Sequence, residues 1–404
     1  MAKDKLRLDC AMSLYVMVWI VLCVFGLGDF FFKASYKTKR VEFICLVVFL
    51  SIILVFRFGQ GQDYFSYRYI YNQMPQNGFD FSVYKTVHGE IGYLILCNFF
   101  RCLHIPFEGF IACTALFEMV CFYRFCTTFQ IDTPFILVLA YPTLYMTYFM
   151  SIIRQGIAIA VFLGILLPLY FNRRFKHYII VTILCASIHS AALMFLLVLF
   201  LDKVKRVSFV QCGCFLSWVA GIVLTIPTVR RVLMSFGIDG INYYMKAGTS
   251  ISIIAACERI FFLGIVTWLY LTTEKKKMMT LTYQMMYLTY LTSIAIYGFF
   301  VGYSNIASRL SSVMRFVELF LLIDGIKKIK FGNRQLLVCF FMMLESVMFV
   351  KNMNSYIQQG EYHNKESISS YEYVSIFNEK KIFSIRNVEE KFLLPDEIDK
   401  NHQI

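Results

Sequence analysis

The string Arg57-Phe58-Gly59-Gln60-Gly61-Gln62-Asp63-Tyr64-Phe65-Ser66-Tyr67 gathers a cation, a carboxylate and two phenols around two glycines. Glycine lets the backbone turn sharply, so Arg57 and Asp63 can be brought back over the mouth of a helix bundle. A second cation, Arg154, opens an apolar run with Gln155 and Gly156, directly after the aromatic stretch 141–149. Arginine there can hold two phosphate oxygens at once, which lysine cannot. His189, flanked by Ser187 and Ser190, interrupts another apolar run, where a neutral imidazole can act as a general base. Arg315 and Glu318 stand three residues apart and share a helix face, which predicts an ion pair. Arg309, between Ser308 and Ser311, has no such local partner and is the better ligand candidate of the two arginines. Arg230 and Arg231 with Tyr243 and Tyr244 supply cations and stacking faces suited to phosphate and sugar rings. Each group also has a plain structural reading. An arginine at the end of a span can snorkel or anchor at the interface, a lone histidine can pack between helices, and a basic loop can be solvated.

The intramembrane setting sharpens these readings. A charged side chain at mid-bilayer costs roughly 2.5–3.5 kcal/mol on insertion scales, so it usually faces a protein cavity. Glu90, Glu108 and Glu118 have no partner that spacing reveals, and Glu118 lies in the middle of an apolar run.

The elements that must position these groups are helices in a bilayer. Of 404 residues, 58% are hydrophobic and only 16% charged, and the mean hydropathy is +0.62. Soluble domains carry about 25% charged residues, so a soluble enzyme is excluded. The net charge of +13 is distributed in short clusters between apolar runs. That pattern describes cytoplasmic membrane-edge anchors and not a nucleic-acid footprint. Thirteen cysteines, scattered through apolar runs, form neither a disulfide framework nor a metal pattern. Walker and dinucleotide motifs and a Gly-Xaa-Ser-Xaa-Gly elbow are all missing from the sequence.

A spanning helix needs about 20 apolar residues. Runs near 10–30, 41–56, 107–126, 134–150, 152–171, 178–201, 208–226, 251–272, 280–302, 307–326 and 335–350 predict an all-α polytopic bundle of ten to twelve spans over 1–350. Polar segments at 57–106 and 228–250 fall outside the membrane when the basic clusters at 33–40, 173–176, 203–206, 275–277 and 327–334 are placed inside. A polar tail follows from 351 to 404. The run Ile91 to Leu103, with Asn98 and Arg101, is expected to lie along the interface. The run 178–201 is basic at both ends and carries His189 at its centre. A broken or re-entrant helix turning near His189 accommodates both facts.

Three pieces in this order resemble the EpsG-like branch of the Wzy-type polysaccharide repeat-unit polymerases. They are the Arg57–Tyr67 string, Ile153-Arg154-Gln155-Gly156-Ile157-Ala158, and Ala186-Ser187-Ile188-His189-Ser190-Ala191-Ala192-Leu193. The string Tyr371-Glu372-Tyr373-Val374-Ser375-Ile376-Phe377 is similar to the family's end. The resemblance implies a multi-pass enzyme of the bacterial cytoplasmic membrane with a GT-C-like fold and no metal or other cofactor. Its substrate would be oligosaccharide carried on undecaprenyl diphosphate, joined at the outer face into O-antigen, capsule or exopolysaccharide. A chain-length regulator and a flippase are the protein partners it suggests. In that chemistry Arg57, Arg154 and Arg309 stabilise the diphosphate leaving group, Asp63 or His189 deprotonates the acceptor, and Tyr64 and Tyr67 stack on sugar. Gln155, Arg315, Arg230 and Arg231 complete the candidate binding set. Two rivals use the same residues: a lipid-linked oligosaccharide flippase or other transporter, and a membrane acyltransferase with His189 as base.

Overall fold

The computed structural model describes residues 13–32, 35–234, 251–359 and 367–388. It is all-α, as expected. Among the described residues, six helices are long and apolar enough to cross a membrane: Leu14–Phe31, Phe107–Thr128, Ile153–Phe171, Val207–Leu224, Ile253–Lys275 and Gly332–Gln358. The chain is therefore a multi-pass membrane protein. Of the remaining apolar runs, Tyr36–Val55 and Leu281–Phe299 are continuous helices with more polar residues, and the others are interrupted. Tyr36–Val55 opens with Lys37, Lys39, Arg40 and Glu42. Pro134–Phe149 changes from α to the wider π form at Tyr141, and the 307–326 run is divided between Ser304–Arg315 and Glu318–Lys327.

The chain divides into two compact units, the first formed by Met1–Met119, Asp132–Gly156 and Gln335–Ile404. Here Leu14–Phe31 lies along Pro134–Ala140. The approach is close because Gly26 has no side chain: a Cβ there would stand 2.6 Å from Val138 Cγ2. Trp19 stacks on Phe349 at 5.3 Å. The Tyr64–Gln73 helix is amphipathic by spacing: Tyr64, Tyr67, Arg68 and Tyr71 are buried on one face. Ile91–Cys102 packs beside it. Its Asn98 accepts from the Tyr84 hydroxyl at 2.6 Å and donates to the Pro75 and Gly78 carbonyls, pinning the intervening turns. At 1.5 Å per residue this helix measures about 18 Å, too short for a 30 Å core, in keeping with an interfacial element.

The expected tail boundary at 351 falls inside a helix, Phe331–Gln359. Beyond it, residues 371–386 turn back onto the first unit: Phe58 N donates to Val374 O at 2.9 Å and Ile376 N donates to Phe56 O at 3.1 Å.

The second unit comprises Val120–Ile131 and Ile157–Arg334. Val207–Leu224 runs against Leu281–Phe299 with Gly221 directly over the Gly298 carbonyl. The 178–201 run breaks where expected. Phe175–Ile188 ends at His189, whose φ of −148° and ψ of 110° are extended, and Ser190–Leu197 continues as a 3-10 helix. Tyr178 donates to the Phe195 carbonyl at 2.7 Å although 17 residues separate them. A straight α-helix would hold them about 25 Å apart, so the segment folds back on itself as a helical hairpin, the form a re-entrant element would take. Removing that hydroxyl breaks the cross-hairpin bond and leaves the Phe195 carbonyl with the Val198 N–H as its donor. Tyr178→Phe should therefore cost about 0.5–1.5 kcal/mol, read as a lower melting temperature of detergent-solubilised protein. An unchanged value would mean that the hydroxyl does not hold the hairpin.

Candidate functional site

Within the first unit the loop after Tyr36–Val55 is held by the residue types that marked it in the sequence. Gly59 and Gly61 take φ of +64° and +109°, which side-chain-bearing residues rarely adopt. At Gly61 a Cβ would lie 2.6 Å from the Met150 carbonyl, and Gln62 N donates to Ser151 Oγ at 2.7 Å. The loop thus rests on the segment that leads into Arg154, bringing together two motifs separated by about ninety residues. The wide π turns of Tyr141–Phe149 immediately precede this contact; such turns often accompany functional sites.

Arg154 is the centre of the cluster. Its guanidinium lies over both the Tyr67 and Tyr93 rings, 5.6 Å from each centroid. Nη1 pairs with Glu90 Oε2. The Arg154 and Glu90 side chains remain 22% and 26% exposed, so an incoming anion can reach them. Tyr67 is hydrogen-bonded to Arg154, and burial, aided by the Asp63 charge, pushes its phenol up to about 12. Tyr67 is therefore protonated throughout the physiological range. Asp63 is the residue before the Tyr64–Gln73 helix, and its carbonyl accepts from Tyr67 N at 2.9 Å.

Arg57 and Tyr64 lie deeper. Arg57 is 1% exposed and donates from Nη1 to the Leu54 carbonyl at 2.6 Å. Its charge acts on Tyr64 and on the buried carboxyl group of Glu118. Tyr64 packs edge-on against Phe107 at 5.2 Å. Gly156, two residues beyond Arg154, provides the room for Glu118: a Cβ there would stand 2.5 Å from Glu118 Oε1 and 2.7 Å from the Tyr148 carbonyl. Gln155, between them, is buried.

On the opposite face of the Tyr64–Gln73 helix, Ser66, Tyr69, Ile70 and Gln73 join Thr86, Val87 and His88 to line an open cleft of about 480 Å³. The lining carries hydroxyls, an amide, an imidazole and a phenol ring, with neither carboxylate nor ammonium.

The remaining candidates belong to the second unit. His189 sits at the hairpin turn, half-buried. The Ser304–Arg315 helix, which carries the exposed Arg309, packs against Ser190–Leu197. Arg315 makes the predicted pair, with Nε 2.9 Å from Glu318, and Nη2 also reaches Glu258 at 2.9 Å. It is buried between two carboxylates and over the Phe262 ring at 5.7 Å, the environment of a structural charge. Arg230 and Arg231 lie on the Pro227–Met234 helix, with Arg231 exposed. Tyr243 and Tyr244 lie outside the described residues.

A model of the EpsG family matches residues 40–373. The chain belongs to the EpsG family. No curated protein and no solved structure matches it. The family match covers both the Arg57–Tyr67 loop and the Arg154 cluster of this EpsG-family protein, and family membership makes a role in polysaccharide synthesis plausible.

The sequence singles out Glu90 without its partner and gives no sign of Tyr93 or of the cleft. Glu90 and Tyr93 flank the start of Ile91–Cys102, and their partner Arg154 is more than sixty residues away. The cleft residues Gln73 and His88 are ordinary loop and helix-end polar residues until the two segments are brought together.

Proposed function

We propose that this EpsG-family protein is a glycosyltransferase of the Wzy type, joining oligosaccharide repeat units carried on undecaprenyl diphosphate at the outer face of the bacterial cytoplasmic membrane. The observation that carries this reading is Arg154. Its guanidinium is oriented by two aromatic faces and one partly exposed carboxylate in a loop-capped site. A guanidinium has five N–H donors; Glu90 takes Nη1 and Tyr67 is a further hydrogen-bond partner, and donors beyond these two suit phosphate oxygens.

In the reaction, the bond between the anomeric carbon of the growing chain and the diphosphate oxygen breaks, and undecaprenyl diphosphate leaves with the electron pair. Charge develops on that oxygen, so a fixed cation lowers the barrier. The acceptor hydroxyl at the non-reducing end of the next unit forms the new carbon–oxygen bond and gives its proton to a carboxylate or imidazole. Asp63 is favoured over His189 because it lies in the same unit as Arg154 and acts on Tyr67. The neutral cleft at Ser66, Gln73, Thr86 and His88 offers hydrogen-bonding groups for uncharged sugar.

Gel analysis of lipid-linked glycan from a strain lacking the chain tests the reading. Single repeat units should accumulate on the outer leaflet, and restoring the chain should recover the polymer ladder. Accumulation on the inner leaflet would point to a flippase, and an intact ladder lacking an acyl group would point to an acyltransferase.

A further inference from the structure

The C-terminal segment of the first unit is built into the Arg57–Asp63 loop. Arg57 and Ser375 form an antiparallel bridge, and Tyr373 donates to the Ile53 carbonyl at 2.7 Å. Gln60, fully buried, accepts through Oε1 from the Tyr371 and Tyr15 hydroxyls, each at 2.6 Å. Ile382, also fully buried, fills the space over Gly59. Arg386 closes the arrangement: Nη1 donates to Gly59 O at 2.8 Å and Gly61 O at 2.7 Å, and Nη2 donates to Gln62 O at 2.7 Å. The same guanidinium lies 5.0 Å from the Phe65 ring centroid, and the residue is only 3% exposed. Three bends of a glycine-containing loop thus have their carbonyls turned toward one planar donor from a distant part of the chain. Glycine-containing loops carry high conformational entropy, and a fork of this kind fixes several peptide planes at once.

We propose that the 371–386 segment is a strap and that Arg386 is a positioning residue. It sets the register of the 59–62 loop so that Asp63 faces Tyr67 and Tyr67 meets Arg154. Arg386 lies beyond the end of the family match at 373, so this residue acts on the matched region from outside it, while the strap begins within it. A second consequence is topological: the strap and the loop share one side of the membrane, whichever side that is. The catalytic part of the inference rests on the polymerase reading, while the loop-ordering part does not.

Hydrogen exchange of the full-length protein in detergent separates the two. In Arg386→Ala, amides at 58–62 should exchange at least tenfold faster, with those of Leu14–Phe31 unchanged, and polymer formation per folded protein should fall in step. Arg386→Lys keeps the charge and loses the planar fork, so it should fall between the wild type and Ala. Unchanged exchange at 58–62 in both variants would overturn the strap. Faster exchange spread evenly through the unit would assign Arg386 to general stability and overturn the positioning role. A wild-type protein that makes no polymer would remove the polymerase reading and leave the exchange result to judge the strap. Impermeant maleimide applied to Phe377→Cys and Phe81→Cys, both exposed positions, should label from the same side of the membrane. Labelling from opposite sides would also overturn the strap.

Discussion

Arg154→Ala should leave the protein in the membrane at normal amounts and lower polymerisation by about 10²–10³-fold, the effect of removing one fixed donor from a developing oxyanion. Cells carrying it should retain lipid-linked single units and show no long ladder. The separation of function from folding follows from exposure. Glu90 is 26% exposed, so water can solvate its carboxylate when the cation is removed, and pairs of this kind contribute about 0–1 kcal/mol. Two cation–ring contacts add about 0.5–1 kcal/mol each at such a site. Those losses are small beside the catalytic term. Arg154→Lys keeps the charge but can neither stack between Tyr67 and Tyr93 nor hold two oxygens in a plane; it should recover only a small part of the activity. Normal polymer length in the Ala variant would remove Arg154 from the site.

Gly156→Ala should fail for the opposite reason, through folding. One added methyl meets the Glu118 Oε1 oxygen at 2.5 Å and a backbone carbonyl at 2.7 Å, and the carbonyl cannot rotate away. Overpacking of this kind costs about 1–3 kcal/mol, and here the upper end is expected because the helix carrying Arg154 must shift. The check is membrane abundance and melting temperature in detergent: both should fall, with polymer falling in proportion. A variant with wild-type melting behaviour and abundance would show that the Phe107–Thr128 helix tolerates displacement from Ile153–Phe171.

The all-α membrane architecture was legible because an apolar run of span length satisfies its backbone groups in a bilayer only by forming a helix. The break at His189 was legible for a sharper reason: basic residues at both ends of 178–201 conflicted with a simple crossing. The Arg315–Glu318 pair could be foreseen because a helix places residues three apart on one face. Nothing local reveals Glu90 as the partner of Arg154, since that contact depends on how the Ile91–Cys102 helix docks. The strap was hidden by composition: 351–404 has the charge content of a solvated tail, and only pairing with 56–62 shows that Tyr371, Ile382 and Arg386 are interior residues. The expected span total is larger than the six long apolar helices among the described residues, because Tyr36–Val55 and Leu281–Phe299 are continuous but less apolar and because hydropathy does not register a π transition at Tyr141 or a helix break at Phe316.

The hairpin at His189 also governs how the rest of the chain is to be mapped. A re-entrant element returns the polypeptide to the leaflet it left, so it contributes zero to the parity of crossings. Counting 178–201 as a traverse would invert the assigned compartment of every downstream loop, the strap included. Reporter fusions at Arg174 and Lys205 should give the same signal, and that agreement sets the phase for assigning all positions after residue 206.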